Sequence, residues 1–167
     1  MDLQSAISGN DASSARATDL LRADHNCING LFSEYRKALA VDSSSRSAIA
    51  QALCAQLEMH NRVESEVFYP GLAGHDIPEI ADSLREHGDL DRYIQEIKFA
   101  DNADAAHVDA CILTVMDIMD QHISEQERVL FPLLDKEQSP ALARLGDAIK
   151  RHRERLAGST GEVEGRS

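Results

Sequence analysis

The sequence predicts an all-α protein: an up-down-up-down four-helix bundle with a shorter fifth helix at its C-terminal end. Three observations predict it. Apolar residues recur at threes and fours along every long segment, and no alternating strand pattern competes. Nine Gly and four Pro are too few for an all-β chain of 167 residues, which needs turn residues about every 8 to 12 positions. Polar breaks separate the periodic segments, at Asp42-Ser43-Ser44-Ser45 and from Gly71 to Pro78.

The first helix starts at Thr18, a residue able to cap it, and turns Leu21, Ile28, Phe32, Tyr35 and Leu39 inward; His25 fills the gap between Leu21 and Ile28. In the second, Ile49, Leu53, Leu57, Val63 and Val67 form the stripe, with His60 and Glu64 in it, and Pro70-Gly71 ends it. The third carries Ile80, Leu84, Ile94 and Ile97, with His87 and Asp91 between. A fourth, from about Asp104 to Phe131, carries Val108, Ile112, Val115, Met119, Val129 and Leu133, and includes His122 and Gln126. The fifth spans about Pro140 to Leu156 through Leu142, Leu145 and Ile149. Residues 18–157 therefore read as one domain, between polar tails at 1–17 and 158–167.

Composition narrows the function. At 43% hydrophobic and 28% charged, the chain is too apolar for disorder and too evenly charged to span a membrane. Lys plus Arg number 17 against 29 Asp plus Glu, and a net charge of -12 argues against a nucleic-acid partner. Aromatics make up 4% with no Trp, which leaves little for a base-stacking platform. Met1 to Ala17 lacks the basic and apolar regions of a signal peptide. Cys27, Cys54 and Cys111 form no C-x-x-C pair, so they read as reduced thiols of a cytoplasmic protein, small buried hydrophobes and not metal ligands. With no G-x-S-x-G, no phosphate loop and no nucleophile signature in Ser43 to Ser47, no catalytic residue is assigned.

The histidines carry the chemistry. Each long helix places one imidazole where an aliphatic belongs, and burying four of them with carboxylates is costly unless a shared cation satisfies them. His60 and Glu64, spaced H-x-x-x-E, share one helix face. The segment H-N-R-V-E-S-E-V-F-Y-P from His60 is echoed by H-I-S-E-Q-E-R-V-L-F-P from His122, and Asp24-His25 by Glu86-His87. Imidazole with carboxylate and without thiolate suits iron or manganese, with zinc possible.

These four pieces, in this order, resemble the hemerythrin-like family, the HHE cation-binding domains, over about Thr18 to Leu134. The resemblance implies a non-haem di-iron centre, iron ahead of manganese and zinc, in which His25, His60, His87 and His122 each bind a metal and Glu64 bridges both. Many such domains have a second Glu where this chain has Gln126. Glu127 matches the register of the second bridging acid in the oxygen carriers and is expected as the second bridge, with Glu125 as the fallback. Asp91 stands where those carriers have a further histidine, and is either an oxygen ligand or a hydrogen-bonding neighbour that leaves a coordination position open. Asp24 and Glu86 are expected on the helix surface or orienting an imidazole; His75, His107 and His152 are expected in solvent.

The function expected is the binding or sensing of O2, or NO, more than dedicated enzyme activity. The alternatives are a di-iron redox enzyme acting on peroxide or in nitrosative-stress repair, and an iron-binding regulatory or storage bundle. Repair relatives carry an additional cysteine-containing N-terminal domain that Met1 to Ala17 is too short to supply.

Overall fold

The computed structural model describes residues 15–41, 43–72, 77–100, 104–136 and 140–161, and every regular element among them is helical. Helix α1 is Ala17–Leu39. Helix α2, Ser43–Val63, continues through a π-helical turn, Glu64–Phe68, into a last α turn, Tyr69–Gly71. Helix α3 is Glu79–Phe99. Helix α4, Ala105–Glu125, likewise continues through a π turn, Gln126–Leu130, into Phe131–Lys136. Helix α5, Pro140–Gly161, runs past the expected end at Leu156. Residues 1–14 and 162–167, most of the two expected tails, lie outside the described residues, as does His75.

Sequential helices are neighbours, α1 on α2, α2 on α3 and α3 on α4, and α5 lies along α1 and α2, which is the expected bundle with its additional helix. Thr18 does not cap α1: it lies within the first turn, buried, and donates its hydroxyl to Asp135 at 2.8 Å. Its one donor is taken by the tertiary contact that ties α1 to the end of the α4 arm. Asp104 does cap α4, accepting from the His107 backbone N–H at 3.2 Å. A side chain at position 146 would run into the Ala15 carbonyl, so Gly146 is what lets the chain ahead of α1 lie against α5.

The interior is layered. One apolar cluster gathers Ile28, Tyr35, Leu57, Ile94, Ile112 and Met119; the other gathers Leu21, Val63, Phe68, Phe131, Leu134 and Ile149. In sequence His25 falls between Leu21 and Ile28, His60 between Leu57 and Val63, and Gln126 between Met119 and Leu130, so the buried polar residues mark the passage from one cluster to the other.

The π turns change the inward register. Counting seven from His60 and from His122 predicts Val67 and Val129 inside; instead Phe68 and Leu130 are buried, eight on, while Val129 is 50% exposed. The same slip turns Leu134 inward and leaves Leu133 53% exposed. A π turn accommodates one additional residue, so everything after it rotates by one position. Each closes with an N–H bonding the carbonyl five back, Tyr69 to Glu64 and Phe131 to Gln126, immediately ahead of a proline that cannot donate and whose ring would crowd a normal α turn. In α3 the buried face is Ser83, His87, Leu90, Ile94 and Ile97, so Leu84, expected inside, is 44% exposed. No described helix is long and apolar enough to cross a membrane.

Candidate metal centre

The structure brings His25, His60, Glu64 and His122 together, with ligand atoms all within 4.8 Å of one another and every side chain buried. His87 joins through Glu64, its Nε2 lying 3.1 Å from Glu64 Oε2. The same carboxylate oxygen is 3.2 Å from His122 Nε2 and 3.6 Å from His60 Nε2.

The four rings share one orientation scheme: Nε2 faces Glu64 or the histidines around it, and Nδ1 faces a polar partner elsewhere. His25 Nδ1 donates to Glu127 Oε1 at 2.8 Å, and His122 Nδ1 to Glu86 Oε2 at 3.1 Å. His87 Nδ1 is hydrogen-bonded to Ser65 Oγ at 3.0 Å, and His60 Nδ1 lies 3.6 Å from Asp24, which is itself ion-paired to Arg153 of α5. Outer partners of this kind fix the ring tautomer and direct the other nitrogen at a cation. Phe131 stacks on the His25 ring at 5.7 Å, interplanar angle 5°, and the Arg22 guanidinium lies over the far ring at 5.1 Å.

Charge is balanced around one acid. Burial would raise the Glu64 pKa, yet the neighbouring His60, the hydrogen bond from His122 and the close approach of His87 hold it well below the usual carboxylate range. Burial also disfavours a charged His122, but its bonds to Glu64 and Glu86 outweigh this and raise it to about 9. Burial, then the neighbouring His60, lowers His25 to about 4, so its ring is neutral with Nδ1–H on Glu127 and a lone pair on Nε2. Glu64 Oε1 accepts from Gln126 Nε2 at 2.7 Å, and Oε2 from the Tyr69 hydroxyl at 3.0 Å. The same Gln126 nitrogen lies 2.7 Å from the Tyr69 oxygen.

Gln126, four residues after His122, holds the inward place; Glu127, one position further round the helix, is 37% exposed and meets the outer nitrogen of His25. The Glu127 carboxylate thus stands beside His25 and not beside Glu64, because His122 to Gln126 is still one ordinary helical turn and the register slips only beyond it. Glu125 is on the outer side, paired with Gln121. Asp91 is exposed and accepts from Asn61 at 3.0 Å; it is the hydrogen-bonding alternative that the geometry realises. Glu86 takes the orienting role expected of it, and Ser65 and Tyr69 join the site without having been singled out. His152 corrects its expectation: it is buried, 2.8 Å from Glu66 and hydrogen-bonded to Arg155, because α5 folds onto the α2 π turn. The spacing Ile149, His152, Leu156 was the available signal, masked by the flanking Arg151 and Arg153.

A cation fits these residues. His25 Nε2, both nitrogens of His60, His87 Nε2 and Gln126 Oε1 are buried without a hydrogen-bond partner, a concentration of orphaned polar atoms in which the inward Nε2 lone pairs would be satisfied by a shared metal. Comparison with known proteins agrees: the Hemerythrin HHE cation binding domain matches residues 16–134. The chain belongs to the hemerythrin HHE cation-binding family. A curated relative of this HHE domain, from Nostoc sp. (strain PCC 7120) and named a DNA nickase, is 27% identical over 127 residues. The match covers 74% of this chain and 34% of the relative, so the chain spans about a third of that protein's length. No solved structure matches with significance.

Proposed function

We propose that this HHE domain holds a pair of iron ions through His25, His60, His87 and His122, bridged by Glu64, and binds or senses O2 or NO there. The observation that carries the reading is the set of unpartnered buried imidazole nitrogens on His25, His60 and His87, from three different helices, gathered around one carboxylate that His122 of a fourth also meets. When bound, an iron pair supplies the electrons and the open coordination position with which a diatomic ligand is held. The chain's own residues do the rest. Glu86, Glu127 and Ser65 aim the rings, Tyr69 and Gln126 hold the two Glu64 oxygens, and the apolar clusters on either side keep bulk water out. Glu127 acts through His25 in this reading. DNA nicking, the name of the Nostoc relative, is not carried over, since a net charge of -12 opposes approach to a phosphate backbone.

The test is metal analysis of anaerobically purified protein followed by stopped-flow spectroscopy with O2, NO and peroxide. A reversible spectral change with O2 or NO supports the proposal. Rapid consumption of peroxide would assign a redox enzyme instead, and inertness to all three a storage or regulatory bundle.

A further inference from the structure

Away from the histidine layer, a second group of donors stands between α3 and the start of α4. Glu96 of α3 meets His107 and Cys111, spaced H-x-x-x-C on one face of α4. The contacts form a triangle: Cys111 Sγ to His107 Nε2 is 3.5 Å, Cys111 Sγ to Glu96 Oε2 is 3.6 Å, and His107 Nε2 to Glu96 Oε2 is 3.4 Å. The nitrogen-to-oxygen edge is long for a hydrogen bond. All three edges match the separations of about 3.3 to 3.6 Å that tetrahedral zinc imposes on S, N and O ligands at about 2.3, 2.1 and 2.0 Å.

From this triangle we propose a divalent-cation site at Glu96, His107 and Cys111, with Zn2+ the best match, separate from the histidine layer. Thiolate with imidazole and one carboxylate is a borderline-soft set that selects against Mg2+ and Ca2+. The site is half open: Cys111 is buried, whereas the Glu96 and His107 side chains are 35% and 46% exposed, leaving a fourth position to solvent. Arg92 holds the other Glu96 oxygen at 3.0 Å, so Oε2 alone is offered. On binding, the Cys111 thiol gives its proton to solvent and a sulfur-metal bond forms, with no change of oxidation state. His122 lies about 16 Å along α4 from Cys111, so each site can be emptied without the other.

Cobalt(II) titration of the metal-stripped full chain under reducing conditions tests this, because a thiolate-to-cobalt charge-transfer band cannot arise from the sulfur-free histidine layer. The band is expected in the parent and in His60→Ala, absent in Cys111→Ser, and displaced stoichiometrically by Zn2+. His107→Ala, a change at a half-exposed position, should weaken cobalt binding at this site by at least about tenfold. The proposal fails if no thiolate band develops at saturation, if the band survives Cys111→Ser, or if His107→Ala binds as tightly as the parent. Loss of diatomic-ligand binding with the band retained would strike the histidine layer alone.

Discussion

In the arm from His60 to Pro70, histidine and Glu64 stand a turn apart ahead of a π turn that closes on Tyr69. In the arm from His122 to Pro132, histidine and Gln126 stand a turn apart ahead of a π turn that closes on Phe131. Backbone and register agree, down to the position eight residues on that turns inward, Phe68 in one and Leu130 in the other. The charge one turn after the histidine differs. The second arm's amide donates to the first arm's acid at 2.7 Å, where a second carboxylate would have repelled it. The repeat thus fixes geometry while one side-chain position sets charge, and the acid of one arm together with Glu86 raises the pKa of His122 in the other.

Making the arms alike in the neutral sense should have the largest effect. Glu64→Gln removes the acid that three imidazoles face, so bound metal should fall to background, and the metal-free fold should lose about 3 kcal/mol in urea unfolding as a buried charge loses its partner. Unchanged metal content would remove Glu64 from the centre. Making them alike in the acidic sense comes next: Gln126→Glu should lower metal-free stability by about 1 to 3 kcal/mol, by like-charge repulsion and a lost donor, while tightening metal binding. A melting temperature that rises without metal would contradict the unequal-arm reading.

Glu127→Gln separates an orienting residue from a ligand. If Glu127 acts through the His25 ring, metal affinity should drop by about tenfold with stoichiometry kept; loss of a whole equivalent in a metal titration would restore Glu127 as a bridge. The smallest effect concerns an asymmetry at the arm ends, where Asp135 ties the second arm to α1 through Thr18 and Arg22. Burial opposes the Asp135 charge, but these hydrogen bonds and the nearby Arg16 hold its pKa below the ordinary value. A depressed folded-state value contributes stability above the unfolded pKa of about 3.9 and loses it as the pH falls through the folded one. Acid titration of Asp135→Asn should therefore show a shallower fall in stability over that window; an identical acid limb would mean the contact contributes nothing.

His25, His60, His87 and His122 were legible in the sequence because a buried helical face is a matter of spacing, and each sits on an apolar stripe with regular neighbours. Glu64 was legible for the same reason, one turn after His60. Val129, Leu133 and Leu84 were misplaced. The first two follow a π turn, whose additional residue leaves no compositional trace, while in α3 Ser83, a small polar residue, occupies the inward place beside Leu84. The destination of Glu127 was hidden because spacing says only that it lies off the inner stripe, not that the outer nitrogen of His25 waits there. His152 was misread from its charged neighbours, although its spacing from Ile149 and Leu156 followed the buried stripe.

The hydrogen bond from His25 to Glu127 joins residues 102 apart in the chain, and the one between Glu64 and His122 joins residues 58 apart. No pair of consecutive helices contains the whole histidine layer, so its full set of side chains comes together only when all four helices are in place. Contacts made after the rate-limiting barrier slow escape from the native state and leave entry to it unchanged. A cation held by residues of all four helices would therefore act as a brake on unfolding, lengthening the lifetime of each folded molecule without hastening its birth.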